Sequence, residues 1–211
     1  MSDLRRKLRL YLVTDPKLCA PLGIIETVRR AVVGGVSMVQ LRDKTATTRE
    51  RIAVAREVKL ALAGRGVPVV INDDVAAAVA ADVDGAHIGQ GDMTPAEARA
   101  QLGPDRILGL SCETADAVRA ADPAVVDYLG LGPVFGTATK PDHVAPIGWE
   151  GLGHLVALTP LPSVAIGGLK ADHRQAARDA GADGVAVVSA ICGQPDVTAA
   201  ARAFGTGGTN Q

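Results

Sequence analysis

Short apolar runs that stop abruptly at polar residues recur along this chain, separated by longer stretches with helical spacing of apolar positions. The sharpest is Val67-Pro68-Val69-Val70-Ile71-Asn72-Asp73-Asp74, where an apolar run ends in an amide and two carboxylates. Residues 69–71 are too few and too continuously apolar for an amphipathic helix, and they read as a strand buried on both faces, as in parallel sheets. Leu10-Tyr11-Leu12-Val13-Thr14-Asp15 predicts a first strand stopped by Pro16, and residues 24–33 a helix closed by Gly34-Gly35. In the strand over 36–44, period two puts Met38, Gln40 and Arg42 on one face and Val39 and Leu41 on the other, so one face turns polar at its far end. A helix over 47–63 leads to the strand 67–72.

Beyond a short alanine-rich helix, the segment 84–92 gives a brief strand and a glycine-bearing loop, and Thr94-Pro95 with Glu97 starts another helix. Strands follow over 106–111, 127–132, 163–166 and 184–188, with helices over 114–121, 149–158 and 171–180 between them. The segments 81–87 and 180–186 both pass from a helix end through Asp-Gly into a strand, an internal echo of one βα unit. Eight strands at a spacing of roughly 25 residues fit a single (β/α)8 TIM barrel of class α/β. A flavodoxin-like open sheet would leave some of these strands without a place. The expected domain spans 1–205, with 206–211 a disordered glycine-rich tail.

Composition narrows the packing and the partners. Hydrophobic residues make up 47% of the 211 positions and aromatic residues 2%, so the interior is expected to be filled by Val, Leu, Ile and Ala. A net charge of -1 offers no basic field for nucleic acid, and no apolar run is long enough to span a bilayer. Cys19, Cys112 and Cys192 lack metal-type spacing and are odd in number, which points to a reducing, cytoplasmic setting.

In a barrel, the carboxyl ends of the strands carry the ligand site, and they bring Gln40, Arg42, Lys44, Asn72, Asp73, Asp92, Ser111, Lys140, Gly168 and Ser189 to one rim. Arg42, Lys44 and Lys140 suit phosphate oxygens, while Asp73 and Asp92 offer hard oxygen ligands to a Mg2+ ion. Taken one at a time, these residues have plainer readings. Asp73 or Asp74 could cap the helix at Val75, Arg42 and Lys44 could pair with Asp43 on the surface, and Asp92 could be an ordinary loop acid. His87 lies inside a strand and reads as a packed core histidine. The second cluster, Ile166-Gly167-Gly168-Leu169 with Val188-Ser189-Ala190-Ile191, stands after strands seven and eight, where many barrels bind a monophosphate. The rim therefore predicts two phosphorylated ligands, and no nucleophilic serine or cysteine with its base is evident.

The motifs Gln40-Leu41-Arg42-Asp43-Lys44, Ile71-Asn72-Asp73, His87-Ile88-Gly89-Gln90-Gly91-Asp92, Gly132-Pro133-Val134-Phe135, Thr137-Ala138-Thr139-Lys140, Ala165-Ile166-Gly167-Gly168 and Val188-Ser189-Ala190-Ile191 occur in this order. Together they resemble the thiamine-phosphate synthase family over nearly the whole chain. The resemblance implies a transferase of the alkyl-transferring EC 2.5.1 class that joins 4-amino-2-methyl-5-hydroxymethylpyrimidine diphosphate to a thiazole ethyl phosphate. The products would be thiamine phosphate and pyrophosphate, with carbon dioxide lost from a carboxylated thiazole. It assigns Gln40, Leu41, Arg42, Asp43, Lys44, Asn72, Ser111 and Lys140 to the pyrimidine diphosphate, with Arg42, Lys44 and Lys140 as catalytic cations. Thr137, Ala138, Thr139, Gly168, Val188 and Ser189 would hold the thiazole phosphate, and Asp73 and Asp92 the Mg2+ cofactor. The implied mechanism is dissociative, through a pyrimidine-methyl cation. Gly91, Gly136 and Cys112-Glu113 differ from the residues common in the family. The partners are then two phosphorylated small molecules, with homo-oligomerisation left open. The alternatives are a thiazole tautomerase on the same scaffold and a non-catalytic phosphate-ligand-binding paralogue.

Overall fold

The computed structural model describes residues 3–137 and 145–205. Eight parallel strands close into a barrel in sequence order: β1 (Leu10–Val13), β2 (Met38–Leu41), β3 (Val69–Asn72), β4 (Gly85–Ile88), β5 (Ile107–Cys112), β6 (Tyr128–Leu131), β7 (Ser163–Ile166) and β8 (Gly184–Val187). Pairing of Leu10 with Val185 shuts the ring. The helices are α1 (Asp3–Lys7), α2 (Pro16–Cys19), α3 (Ile24–Val33), α4 (Thr48–Ala61), α5 (Val75–Ala81), α6 (Pro95–Leu102), α7 (Ala115–Ala120), α8 (Gly148–Ala157), α9 (Arg174–Asp179) and α10 (Val197–Arg202). Among the described residues no helix is long and apolar enough to cross a membrane. The tail expected over 206–211 lies outside the described residues.

Most of the expected elements are present; β7 has the expected bounds, β5 is shifted by one residue, and β1, β2, β3, β6 and β8 are shorter. The stretch 36–44 reduces to Met38–Leu41 because the Arg42 amide leaves the ladder and donates to the Thr14 hydroxyl at 3.0 Å. The helix expected over 171–180 opens with a 3-10 turn, Ala171–His173, before α9. Three helices go beyond the sequence reading. The first of them shortens β1, which ends at Val13 and not at the expected Asp15, because Asp15-Pro16 begins α2: the Asp15 carboxylate accepts from the Lys17 and Leu18 amides and Pro16 stands in the first turn. The others, α1 and α10, are five and six residues long, too short for a periodic signal.

Period two along the strands sorts the core into two layers. Leu12, Val39, Leu41, Ile71, Ala86 and Ile88 face the helices, while Tyr11, Val13, Met38, Val70, Tyr128, Val164 and Ala186 fill the barrel. The core is built mainly from Val, Leu, Ile and Ala, as expected, but both tyrosines of the chain sit inside the barrel. Glycine makes the room. A Cβ at Gly109 would overlap the Tyr128 ring and the His87 imidazole.

The sequence echo at 81–87 and 180–186 has a structural counterpart. Asp84 accepts from the Val69 amide at 2.7 Å, and Asp183 from the Ser163 amide at 2.9 Å. Asp127 does the same for Leu108 at 2.7 Å, and the Ser37 hydroxyl for Leu10 at 3.0 Å. Each residue precedes an even-numbered strand and also donates its own amide to the same partner's carbonyl at 2.8–2.9 Å. Four such two-bond clamps, one per pair of strands, fix the amino-terminal end of the barrel.

Candidate active site

At the opposite end the barrel opens into a cavity of about 420 Å³. Gln40, Arg42, Lys44, Asn72, Asp73, Asp92 and Ser111 from the first expected cluster line it, as do Thr137, Gly168, Val188 and Ser189 from the second. Segments far apart in sequence thus converge because their strands are parallel and share one carboxyl end. Leu41 and Asp43 are not brought to the cavity. Leu41 is on the opposite pleat and packs in the outer layer. The Asp43 carboxylate turns into its own loop, accepting from the Thr45 amide and hydroxyl at 2.8 Å and the Ala46 amide at 3.1 Å. Burial works against ionisation of Asp43, yet these donors hold it below its usual range. Ala138, Thr139 and Lys140 lie outside the described residues.

Two adjacent acids at the end of β3 divide their work. Asp74 caps α5, accepting from the Ala77 amide at 2.9 Å, and pairs with Arg51 at 2.9 Å and the Thr48 hydroxyl at 2.8 Å. Asp73 adopts φ 62, a left-handed conformation uncommon outside glycine, asparagine and aspartate, and this swings its side chain toward the mouth. Its amide donates to the His87 carbonyl at 2.9 Å, fastening the turn to β4. The Asp73 carboxyl meets that of Asp92, whose Oδ2 also accepts from the Gly89 amide at 2.7 Å. Asp73 is open to solvent on one side, but crowding by the surrounding protein and then the facing Asp92 carboxyl push its pKa up to about 6. The cations of Lys44 and Arg42 act in the other direction. Among the described residues no group of three or more His, Cys, Asp and Glu could hold a metal ion. Two carboxyls pressed together fit a Mg2+ ion, which takes one or two carboxylates and completes its shell with water and phosphate oxygens.

The second cluster is built by strapping loops together. The Val134 amide donates to the Ile166 carbonyl at 2.8 Å and the Phe135 amide to the Gly167 carbonyl at 3.1 Å. Gly168 has φ 62, and a Cβ there would stand 2.7 Å from the Gly136 carbonyl oxygen, so glycine is required. After β8 the chain turns back: the Ile191 and Cys192 amides donate to the Val188 carbonyl at 3.1 and 2.8 Å. This turn, and not the start of a helix, follows β8, and α10 begins only at Val197.

Sequence reasoning missed part of the cavity floor. His87 is 6% exposed and hydrogen-bonded on both ring nitrogens, to Tyr128 Oη and Ser111 Oγ at 2.9 Å each. It is buried and satisfied, as a core histidine should be, yet it also lines the cavity beside Tyr11. The inward pleat shared by Tyr11 and Gln40, on strands paired in register, was the available signal.

Comparison with known proteins agrees with this geometry. The family model described as thiamine monophosphate synthase matches residues 10–191. The chain is similar to thiamine-phosphate synthases from Azorhizobium caulinodans, at 49% identity over 94% of each chain, and from Xanthobacter autotrophicus, at 56% over 93% of each. Among solved structures it is similar to thiamine phosphate pyrophosphorylase from Pyrococcus furiosus, with TM-score 0.87, 35% identity and 96% of each chain covered. A barrel of this topology, a mouth with paired acids and cations, and identity at this level over almost the whole length place the chain in the thiamine monophosphate synthase family.

Proposed function

We propose that this cavity joins the aminopyrimidine methyl diphosphate to the thiazole ethyl phosphate, releasing pyrophosphate and giving thiamine phosphate. The observation that carries this reading is the contact between the Asp73 and Asp92 carboxyls, with Lys44 and Arg42 acting on the same point. An isolated pair of acids would repel, and a divalent ion bound there would relieve that repulsion. Asp73 and Asp92 would hold Mg2+, which when bound neutralises charge on the departing pyrophosphate. Arg42 and Lys44, joined by Lys140, grip the diphosphate oxygens and stabilise the negative charge that grows as the carbon–oxygen bond breaks. Gln40, Asn72 and Ser111 hold the remainder of the pyrimidine substrate.

The strapped loops at Gly168, Val188 and Ser189, with Thr137, Ala138 and Thr139, hold the thiazole phosphate so that its ring nitrogen faces the carbon that loses pyrophosphate. No base is needed, because the thiazole nitrogen brings its own lone pair; alignment and charge stabilisation account for the rate. The unit that does this is read as one domain over 1–205, acting in the reducing cytoplasm, where Cys19, Cys112 and Cys192 remain thiols. The thiazole tautomerase reading handles no diphosphate, and the curated relatives are named as synthases. The test is to mix the two substrates with and without Mg2+ and measure pyrophosphate release. Release only with both substrates and Mg2+ is expected; binding without turnover, or turnover indifferent to the metal, refutes the reading.

A further inference from the structure

A chain of hydrogen bonds crosses the barrel interior and ends, on both sides, at side chains that line the cavity. Gln40 Nε2 donates to Tyr11 Oη at 2.7 Å, and Tyr11 Oη and Tyr128 Oη lie 2.7 Å apart. Tyr128 Oη meets His87 Nδ1 at 2.9 Å, and His87 Nε2 meets Ser111 Oγ at 2.9 Å. Tyr128 is completely buried and does not reach the cavity, whereas Gln40 and Ser111 do. Among the described residues every buried side-chain nitrogen and oxygen has a partner.

Proton counting constrains this chain. Burial raises the pKa of both phenols, so each keeps its single proton. One proton serves the bond between the two tyrosines, which leaves the other for one neighbour only. If Gln40 donates to Tyr11, Tyr11 must donate to Tyr128 and Tyr128 to His87 Nδ1. A neutral imidazole then carries its proton on Nε2 and gives it to Ser111, whose own hydroxyl proton points outward. Turning the Gln40 amide over reverses every bond and leaves Ser111 donating inward. With a neutral imidazole these are the two settings that satisfy every group, so the ends cannot change independently.

We propose that Tyr128 is a positioning residue that locks the polarity of this chain, so that Gln40 offers its carbonyl oxygen and Ser111 its hydroxyl proton to the pyrimidine substrate. The Gln40 oxygen then accepts from the exocyclic amine of the aminopyrimidine, and Ser111 donates to an acceptor on the same molecule. This rests on the assignment of Gln40 and Ser111 to the pyrimidine diphosphate. The lock discriminates an amine from a carbonyl at that ring position, because a carbonyl would face the Gln40 oxygen unpaired.

Tyr128→Phe keeps the ring and removes only the hydroxyl that joins the two halves. The full-length enzyme is assayed with both substrates, and the His87 tautomer is read by nitrogen-15 NMR at pH about 8.5, above the imidazole's ordinary range. Wild type is expected to show the proton on Nε2, and the variant a mixture of tautomers. The KM for the pyrimidine diphosphate should rise about tenfold, with the KM for the thiazole phosphate within about twofold. The effects of Gln40→Ala and Ser111→Ala on that KM should be non-additive in wild type and additive in the Tyr128→Phe background.

A wild-type proton on Nδ1, or an unchanged tautomer and KM in Tyr128→Phe while Gln40→Ala and Ser111→Ala each weaken the pyrimidine diphosphate, overturns the lock and leaves the substrate assignment standing. Equal rises in both KM values alongside lost thermal stability reduce Tyr128 to a packing role and also overturn it. Indifference of the pyrimidine diphosphate KM to Gln40→Ala and Ser111→Ala removes the substrate assignment itself, and the lock with it.

Discussion

Replacing Asp73 with asparagine should make the metal-free protein more stable and the enzyme nearly inactive. The Asp73 carboxyl is pushed from its usual 3.8 up to about 6 by crowding and by Asp92, so the folded chain holds this proton more tightly than the unfolded one. A raised pKa favours folding fully only below the unfolded value, and that benefit is lost as pH rises through the folded one. Between pH of about 4 and 6 wild type therefore loses stability relative to a variant that cannot ionise, and above about 6 the deficit is complete. Taken whole the shift corresponds to about 3 kcal/mol, but Asp73 is exposed on one side, and solvent screening reduces this to about 1 kcal/mol. In a chain of 211 residues that raises Tm by ~2–4 °C. Asparagine also accepts the φ of 62, so the turn survives.

The assay is thermal unfolding of both proteins in chelator from pH 4 to 8, then with Mg2+ and pyrophosphate, beside steady-state turnover. The gain should be absent near pH 4 and present at pH 7.5. Added Mg2+ and pyrophosphate should stabilise wild type more than the variant. Turnover should fall a hundredfold or more, on the order of 3 kcal/mol of lost charge stabilisation. A variant less stable than wild type at pH 7.5, or one turning over within about threefold of it, refutes the reasoning.

Lys140→Ala, at a position outside the described residues, is expected to keep the wild-type unfolding curve and lose about a hundredfold in turnover; near-normal turnover in the folded variant removes its role. Asp183→Ala strips the acceptor from the buried Ser163 amide and the partner, at 2.7 Å, from Arg5, so urea denaturation should show a loss of about 3 kcal/mol, of which the partly exposed Arg5 contributes no more than about 1. An effect below about 1 kcal/mol would mean the clamp does not hold the barrel end. Gly109→Ala drives a Cβ into Tyr128 and His87, and should cost roughly 1–3 kcal/mol by the same measurement. Wild-type stability there would show that the interior relaxes more than its packing suggests.

What could be read from sequence was what repeats locally. The alternation through Met38, Gln40 and Arg42 gave the inward face of β2, and the apolar run before Asn72 gave β3, because burial on one or both faces leaves a period. The far end of β2 falls short of the expected one, since the Arg42 amide leaves the ladder for a threonine hydroxyl, a partner that no local pattern reveals. Asp73 and Asp74 are identical in type and adjacent; only the left-handed backbone at Asp73 decides which caps a helix and which faces the mouth. The pairing of Tyr11 with Tyr128 spans 117 positions, so each looks like a lone aromatic in an apolar strand until the barrel closes.

The two ends of the barrel treat their acids differently. At the amino-terminal end Asp84, Asp127 and Asp183 each receive a strand amide, and Arg99 and Arg5 add charge pairs to Asp127 and Asp183 at 2.7 Å. Their negative charge is met by donors that the fold itself supplies. At the carboxyl end the Asp73 amide is directed to the His87 carbonyl, and the Asp73 carboxyl is set against another carboxyl. The same residue type is therefore stabilised at one end and strained at the other. A further strand amide or arginine at the mouth would relieve that strain, and under the proposed function it would also take the place of the Mg2+ ion. The raised pKa of Asp73 records that strain, and Asp73→Asn measures how much of it the protein carries.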